Sequence, residues 1–338
     1  MAEISVFIPC YNAQRTLEET LNSLAEQTFQ DFEVVIVDDG STDSTPRILQ
    51  TWSERDPRIR VITTRHRGVV AASNTAVDHC RTLIAARMDA DDLAHPERLE
   101  KQLALLKKEP QLAAVGSLVA GFPEDQVGKG FQLYYQWLNS LVNHEDITRE
   151  IFIESPLANP STTVRKSWIS RVGGYQDHGW PEDYDLWLRM YLAGARFAKV
   201  PEVLLQWREH EDRLTHTDSR YSVKNFLRAK AHYLAKGPAL NRDAVIVWGA
   251  GMTGRRLSKH LLAENLPVAA FVDIDPQKIG STRRGKPIIS RNELLEWWNK
   301  YQNPILLSAV RARKARPLIR EQLEDFGLVE GQDWWGAA

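Results

Sequence analysis

The sequence predicts an α/β protein, a mostly parallel sheet covered by helices and followed by a smaller α/β unit. Three observations carry that prediction. Short β-branched apolar runs alternate with amphipathic segments through the first third of the chain. A Gly237-Pro238 breaker interrupts the pattern, and beyond it the same strand–helix rhythm restarts. The length, 338 residues, exceeds one domain of roughly 100–200 and fits two.

Taken in order, residues 4–9 read as a buried strand and 16–27 as a helix with Leu17, Leu21 and Leu24 on one face. Residues 33–38 (EVVIVD) form the second strand, 44–53 a helix, 60–63 a short strand, 69–80 a helix and 82–88 another strand. A further helix opens near Pro96, which suits a first turn because proline has no N–H to lose there. The aromatic-rich stretch 131–142 and residues 182–192 read as helices, and 195–208 as paired strands. A polar stretch at 209–220 precedes a helix to about residue 235. The domain boundary falls near 237–242, at the breaker. After it come strand 244–248, a glycine-rich turn at 249–254, helix 255–264, strand 268–272, helix 291–300, strand 304–308 and helix 313–326.

Composition excludes several classes. Lys plus Arg is 43 and Asp plus Glu is 44, so the net charge of -1 supplies no global field for holding nucleic acid. No apolar run approaches the ~20 residues of a membrane span, and residues 112–122 come to about half of it, so any membrane contact is expected to be peripheral. The first residues lack a basic stretch followed by an apolar one, which predicts a cytoplasmic protein without a secretory signal. Cys10 and Cys80 are expected to be reduced core thiols.

The chemistry sits at strand ends. In an open α/β sheet, ligands bind at the carboxyl ends of the strands. Three such ends carry Pro9-Cys10-Tyr11-Asn12, Asp38-Asp39-Gly40-Ser41-Thr42-Asp43 and Asp89-Ala90-Asp91-Asp92. Acids converging on one edge repel one another unless a cation or hydrogen-bond donors intervene. The third group offers hard oxygen ligands close together, suited to Mg²⁺ or Mn²⁺ with positions left for a substrate diphosphate. Zinc is not expected, because no Cys/His set has suitable spacing.

These motifs resemble the family-2 inverting glycosyltransferases of the GT-A fold. The resemblance extends to Pro96 and Arg98-Leu99 after the third motif, and to Pro181-Glu182-Asp183-Tyr184-Asp185-Leu186-Trp187-Leu188-Arg189. It implies a GT-A nucleotide-diphospho-sugar transferase domain over 1–236, with a nucleotide-binding half at 1–110, an acceptor half at 111–215 and a helical linker at 216–236. It further implies that Pro9, Tyr11, Asn12, Asp39 and Asp89 surround a nucleotide-sugar; read from its place in the loop alone, Arg67 joins them as a candidate phosphate contact. Tyr11 would stack on the base, and Asp39 would accept from a ring N–H. Asp91, with Asp89 and His210, would hold the metal. Asp183 would be the catalytic base, supported by Glu182. The implied partners are a nucleoside-diphosphate sugar donor and a glycan or lipid-linked glycan acceptor, with the oligomeric state left open. One departure is Ser73-Asn74, where many members carry Arg before the Asn, so the base is not assigned.

Other residues have two readings. Glu182 and Asp183 also suit a helix first turn, where acids complement the dipole. Arg208 and His216 are second-tier candidates for diphosphate or metal, or members of a solvated loop. Arg65 and His66 are further candidates of the same kind for phosphate. Phe131, Tyr134, Tyr135, Trp137 and Trp180 either line an acceptor groove or pack a core.

The unit at 243–338 reads as a small Rossmann-like α/β domain. Gly249, Gly251 and Gly254 open its first helix, and Asp273 ends the next strand where a ribose hydroxyl is met in a dinucleotide site. That leaves open a second nucleotide site and, as an alternative function, a nucleotide-dependent oxidoreductase or nucleotide-binding module. A structural or interaction role stands beside them.

Overall fold

The computed structural model describes residues 2–338. The chain forms two compact units, the first built from Met1–Ile147, Pro156–His178 and Glu182–Thr217, the second from Thr148–Ser155, Gly179–Pro181 and Asp218–Ala338.

The first unit holds strands β1 (Ile4–Cys10), β2 (Phe32–Asp38), β3 (Ile59–Thr63), β4 (Ile84–Arg87), β5 (Leu93–Ala94), β6 (Leu112–Phe122), β7 (Thr163–Arg165) and β8 (Arg196–Arg208). They lie in the order β3-β2-β1-β4-β7-β6-β8-β5. Strands β1 to β4 are mutually parallel, while β7 runs antiparallel to both β4 and β6. Both faces of the parallel part are dry, as near-continuous apolar strands require. Val6 and Ile8 point to one face, against Leu17, Leu21 and Leu24. Phe7, Val35 and Val37 point to the other, against Ala72, Ala76 and Trp187.

The expected strand pair at 195–208 is corrected to one strand of 13 residues. It does not fold back, because its partner is β6, the apolar run 112–122, which it pairs in parallel along its whole length. Register shifts at Ser117/Leu118 and Leu118/Val119 interrupt that ladder. Strand β7 and the helices His144–Arg149 and Lys166–Arg171 have no sequence expectation to match; each is too short to show a period.

The second unit holds β9 (Ala244–Trp248), β10 (Val268–Val272), β11 (Thr282–Arg283), β12 (Lys286–Ile289), β13 (Pro304–Ser308) and β14 (Trp334–Gly336), in the order β11-β12-β10-β9-β13-β14. All except β11 run parallel, with the first strand central and later strands added outward on both sides, the order of a doubly wound sheet. The helix Val223–Lys236, expected as a linker of the first domain, clusters with this unit. It packs against the helix Met252–Ala263, and its buried Lys230 donates from Nζ to the Ile153 carbonyl at 2.5 Å. The helix after the glycine turn begins three residues earlier than expected, so Gly254 lies inside its first turn. Only glycine fits there: a Cβ would stand 1.8 Å from the Gly249 carbonyl oxygen. Among the described residues, no helix is long and apolar enough to cross a membrane.

Candidate active site

The loops leaving β1, β2 and β4 meet at one edge, beside the β1/β4 neighbourhood where the strand order reverses direction. Cys10, at the end of β1, reports the convergence. Its thiol is pushed far up by burial and by the charges of Asp38, Asp43 and Asp91. That makes it a packed thiol, not a nucleophile. Cys80 is likewise buried and free, pushed up to about 11 chiefly by burial.

Asn12 adopts a left-handed φ of 49° and laces the first two loops together. Its backbone N–H donates to Ser41 Oγ at 2.8 Å and its Oδ1 accepts from the Thr42 N–H at 2.8 Å. Pro9 lies in β1 itself, the least buried residue of an otherwise buried strand. Tyr11 is 45% exposed and stacks on His66, ring centroids 4.0 Å apart.

Asp39 is buried, and its oxygens are largely spent on its own fold. They accept from the Arg67 N–H at 2.9 Å, the Gly68 N–H at 2.7 Å and Thr64 Oγ1 at 3.2 Å, with His66 Nδ1 at 3.0 Å. The structure therefore brings Asp39, Tyr11 and Arg67 together, but it is the backbone amide of Arg67 that meets Asp39. The Arg67 side chain stays exposed.

Asp89, Asp91 and Asp92 each offer one carboxylate oxygen within 4.8 Å of the others. Asp92 is the member that sequence reasoning left unassigned. It is 1% exposed, its Oδ1 accepts from the Arg208 N–H at 2.8 Å, and its Oδ2 is buried with no hydrogen-bond partner. Burial and the charges of Asp91 and Asp89 hold its carboxyl well above the usual range. A buried orphan oxygen among three carboxylates is a donor set that fits a hard divalent cation. His210 Nε2 lies 2.9 Å from Asp91 Oδ2, on the rim of this group and not within it.

Asp183 opens the helix Glu182–Leu192. Its carboxyl is pushed up to about 8, first by burial and then by the charge of the buried Glu182; Asp89 raises it further, and Arg87 opposes the rise. The acid cluster and Asp183 therefore share one electrostatic neighbourhood, with Arg87 as its counter-charge.

Sequence reasoning missed Arg87. It is 3% exposed, donates from Nε to Asp89 Oδ1 at 2.7 Å and from Nη1 to Ser73 Oγ at 2.7 Å. The Ser73 position, where many members of the resembling family carry Arg, here receives a guanidinium from the end of β4. A lone arginine closing an apolar strand just before the acids was the available signal. Asn74 is accounted for too: its amide exchanges two 2.8 Å hydrogen bonds with the backbone of Tyr175, in the segment before Asp183.

The second-tier residues separate. Arg208 clips the acid loop, donating from Nε to the Asp91 carbonyl at 2.6 Å while pairing with Glu19. His216 is held by the buried Glu209, which Arg213 also pairs at 2.8 Å. Arg65 is exposed. Tyr134 and Tyr135 pack with Trp207, Phe131 packs on Tyr135, and Trp137 on Tyr134. Trp180 belongs to the second unit, beside His232 and Tyr233.

In that second unit Asp273 accepts from the Ala250 N–H at 3.0 Å and the Asp275 N–H at 3.0 Å, and Lys278 Nζ stands 3.3 Å away. Its oxygens staple the glycine turn. Gly249 needs its φ of 111° and Gly254 its missing Cβ for this local packing. Gly251 faces open space.

Comparison with known proteins gives a consistent picture. The family model described as Glycosyl transferase family 2 matches residues 5–173, and a second, C2185-like, N-terminal, matches 241–331. The amylovoran biosynthesis glycosyltransferase AmsE of Erwinia amylovora is 32% identical over 62% of this chain and 77% of its own. Among solved structures, S. aureus TarS 1-349 in complex with UDP-GlcNAc superposes with a TM-score of 0.57 at 21% identity, over 77% of this chain and 71% of that one. The mannosyltransferase PcManGT from Pyrobaculum calidifontis, in complex with GDP-Man and Mn²⁺, gives 0.52 at 22% identity, over 69% and 63%. These likenesses show a GT-A fold in this chain. With the family model spanning half its length and over an acid-lined strand edge, the chain belongs to glycosyl transferase family 2 and is a glycosyltransferase.

Proposed function

We propose that the protein transfers a sugar from a nucleoside-diphosphate donor to a hydroxyl of a glycan or lipid-linked glycan, with inversion, in polysaccharide or glycoconjugate synthesis. The observation that carries this reading is Asp183: a carboxylate tuned to about 8 beside a cluster of acids suited to a cation. A general base works best with a pKa near the operating pH. Asp183 takes the proton of the acceptor hydroxyl as it attacks the anomeric carbon, and Glu182 keeps that carboxyl basic by its charge. No covalent sugar–enzyme intermediate is needed for a single displacement.

Asp89, Asp91 and Asp92 would hold Mg²⁺ or Mn²⁺, with His210 orienting Asp91. When bound, the cation neutralises charge on the departing diphosphate. Tyr11 offers the exposed face of its stack to the base, and the exposed Arg67 side chain is available to phosphate. Asp39 and Asn12 position the loops that carry these groups, and Arg87 positions Asp89 while moderating Asp183. AmsE's role in amylovoran biosynthesis, and the UDP-GlcNAc and GDP-Man in the two solved structures, support a nucleotide-sugar donor.

The test is Asp183→Asn, assayed for nucleoside diphosphate release and for donor binding by calorimetry. Binding within about threefold of the parent, with turnover reduced by the ~10²–10⁴-fold worth of a general base, is expected. Turnover equal to the parent's rejects Asp183 as base. NMR of the product's anomeric configuration tests inversion.

A further inference from the structure

The second unit carries a cavity of about 820 Å³ that the glycosyl-transfer reading does not use. That volume falls within the roughly 300–1,000 Å³ typical of small-molecule sites. Six cations line it: Lys224, Arg255, Arg256, Lys259, Arg283 and Arg284, with no carboxylate among the lining residues. In a chain of net charge -1, so one-signed a wall is a local concentration of charge.

The fold builds this wall. Strands β11 and β12 pair antiparallel through a two-residue turn, Arg284-Gly285, with φ of 53° and 71°. Positive φ at both turn positions is the mark of a tight type I′ hairpin. The hairpin presents Arg283 and Arg284 towards the helix Met252–Ala263, and Arg284 Nη2 fastens it by donating to the Arg255 carbonyl at 3.0 Å. Arg283 Nε is buried without a hydrogen-bond partner. Burial and the neighbouring cations Lys259, Arg228, Lys224 and Arg284 hold the His260 imidazole below its usual range.

A smaller cavity of about 220 Å³ adjoins, lined by Ala250, Gly251 and Met252 at the start of that helix and sharing Arg255 and Arg283 with the first. A helix N-terminus favours anions, and guanidinium forks match phosphate oxygens two at a time. Two linked cationic hollows with two arginines in common suit two linked phosphates better than one.

We propose that the second unit binds a diphosphate-bearing ligand in this cavity without a metal ion. The arginines do here what a cation does for acid-lined sites, and the absence of lining carboxylates leaves no hard ligands for a metal. The diphosphate can belong to a soluble nucleoside diphosphate or to a lipid diphosphate. Val223 and Met252, exposed at the two cavities, provide apolar contact for a lipid.

The experiment is calorimetric titration of the full chain with inorganic pyrophosphate in EDTA, where an acid cluster lacking its cation repels the anion. Saturable binding that weakens with added salt is expected. Arg255→Ala with Arg283→Ala lowers the affinity at least tenfold, while Lys314→Ala in the exposed stretch 311–314 changes it less than twofold. Hydrogen exchange of the parent chain provides a readout independent of variants: pyrophosphate protects residues 249–256 and 282–286. Competition then separates the sources, using UDP in one arm and phosphatidylcholine vesicles carrying undecaprenyl diphosphate in the other. Displacement by either supports the proposal and identifies the source. No pyrophosphate binding in EDTA, protection at residues 89–92 instead, an equal loss on Lys314→Ala, or displacement by neither competitor overturns it.

Discussion

Replacing Arg87 by Met probes the counter-charge of the site. The substitution keeps a long apolar stem over Phe7, whose ring centre lies 5.5 Å from the guanidinium carbon, but removes the charge. Breaking one side of a buried pair costs about 3–5 kcal/mol. The Asp89 side chain is 30% exposed, so water repays part of that, leaving about 2–3 kcal/mol. Losing the Ser73 hydrogen bond adds about 1 kcal/mol. The expected destabilisation is therefore about 3–4 kcal/mol. The double variant Arg87→Met, Asp89→Asn removes the stranded charge and recovers more than half of it, a coupling that a double-mutant cycle isolates. The assay is hydrogen exchange of peptides spanning β1 and β4 against urea, which reads the first unit by itself. A second readout is enzymatic: without Arg87 opposing it, Asp183 titrates higher and the rising limb of activity moves up in pH. A loss under 1 kcal/mol, or a double variant no more stable than the single, refutes the argument.

Three other outcomes are expected. Activity of the parent rises with pH through about 8, because Asp183 must be ionised to accept a proton. Stability moves the other way: the folded carboxyl binds its proton more tightly than the unfolded one, so the first unit loses stability as pH rises from about 4 towards 8. Asp183→Asn flattens both profiles, measured by rate and by urea midpoint. Asp92→Asn stabilises the metal-free protein by about 1–2 kcal/mol by replacing an orphan buried oxygen with a donor, yet weakens Mn²⁺ binding at least tenfold, read from thermal melts with and without Mn²⁺. Gly254→Ala, which drives a methyl against the Gly249 carbonyl, destabilises the second unit by about 1–3 kcal/mol, seen as faster hydrogen exchange over 249–263.

The longer periodic elements and the edge where chemistry occurs are legible in residue order alone. Strands 244–248, 268–272 and 304–308 and the helix at 182–192 coincide with their expected limits, because apolar periodicity is a local property that neighbouring residues set together. The acids at 89–92 were legible for the same reason: a buried strand ending in Asp-x-Asp-Asp places its charges at the sheet edge. Which charges are already partnered is set by long-range packing. Asp39 is spent on amides of the 64–68 loop, Asp273 on the glycine turn, and Arg87 compensates Asp89 from within β4 while Asp92 keeps one oxygen orphaned. Likewise β6 finds β8 across roughly eighty residues, and Arg283 and Arg284 gather opposite Arg255 only once the hairpin folds. A carboxylate's availability depends on donors that long-range packing brings to it, and residue spacing along the chain carries no record of them.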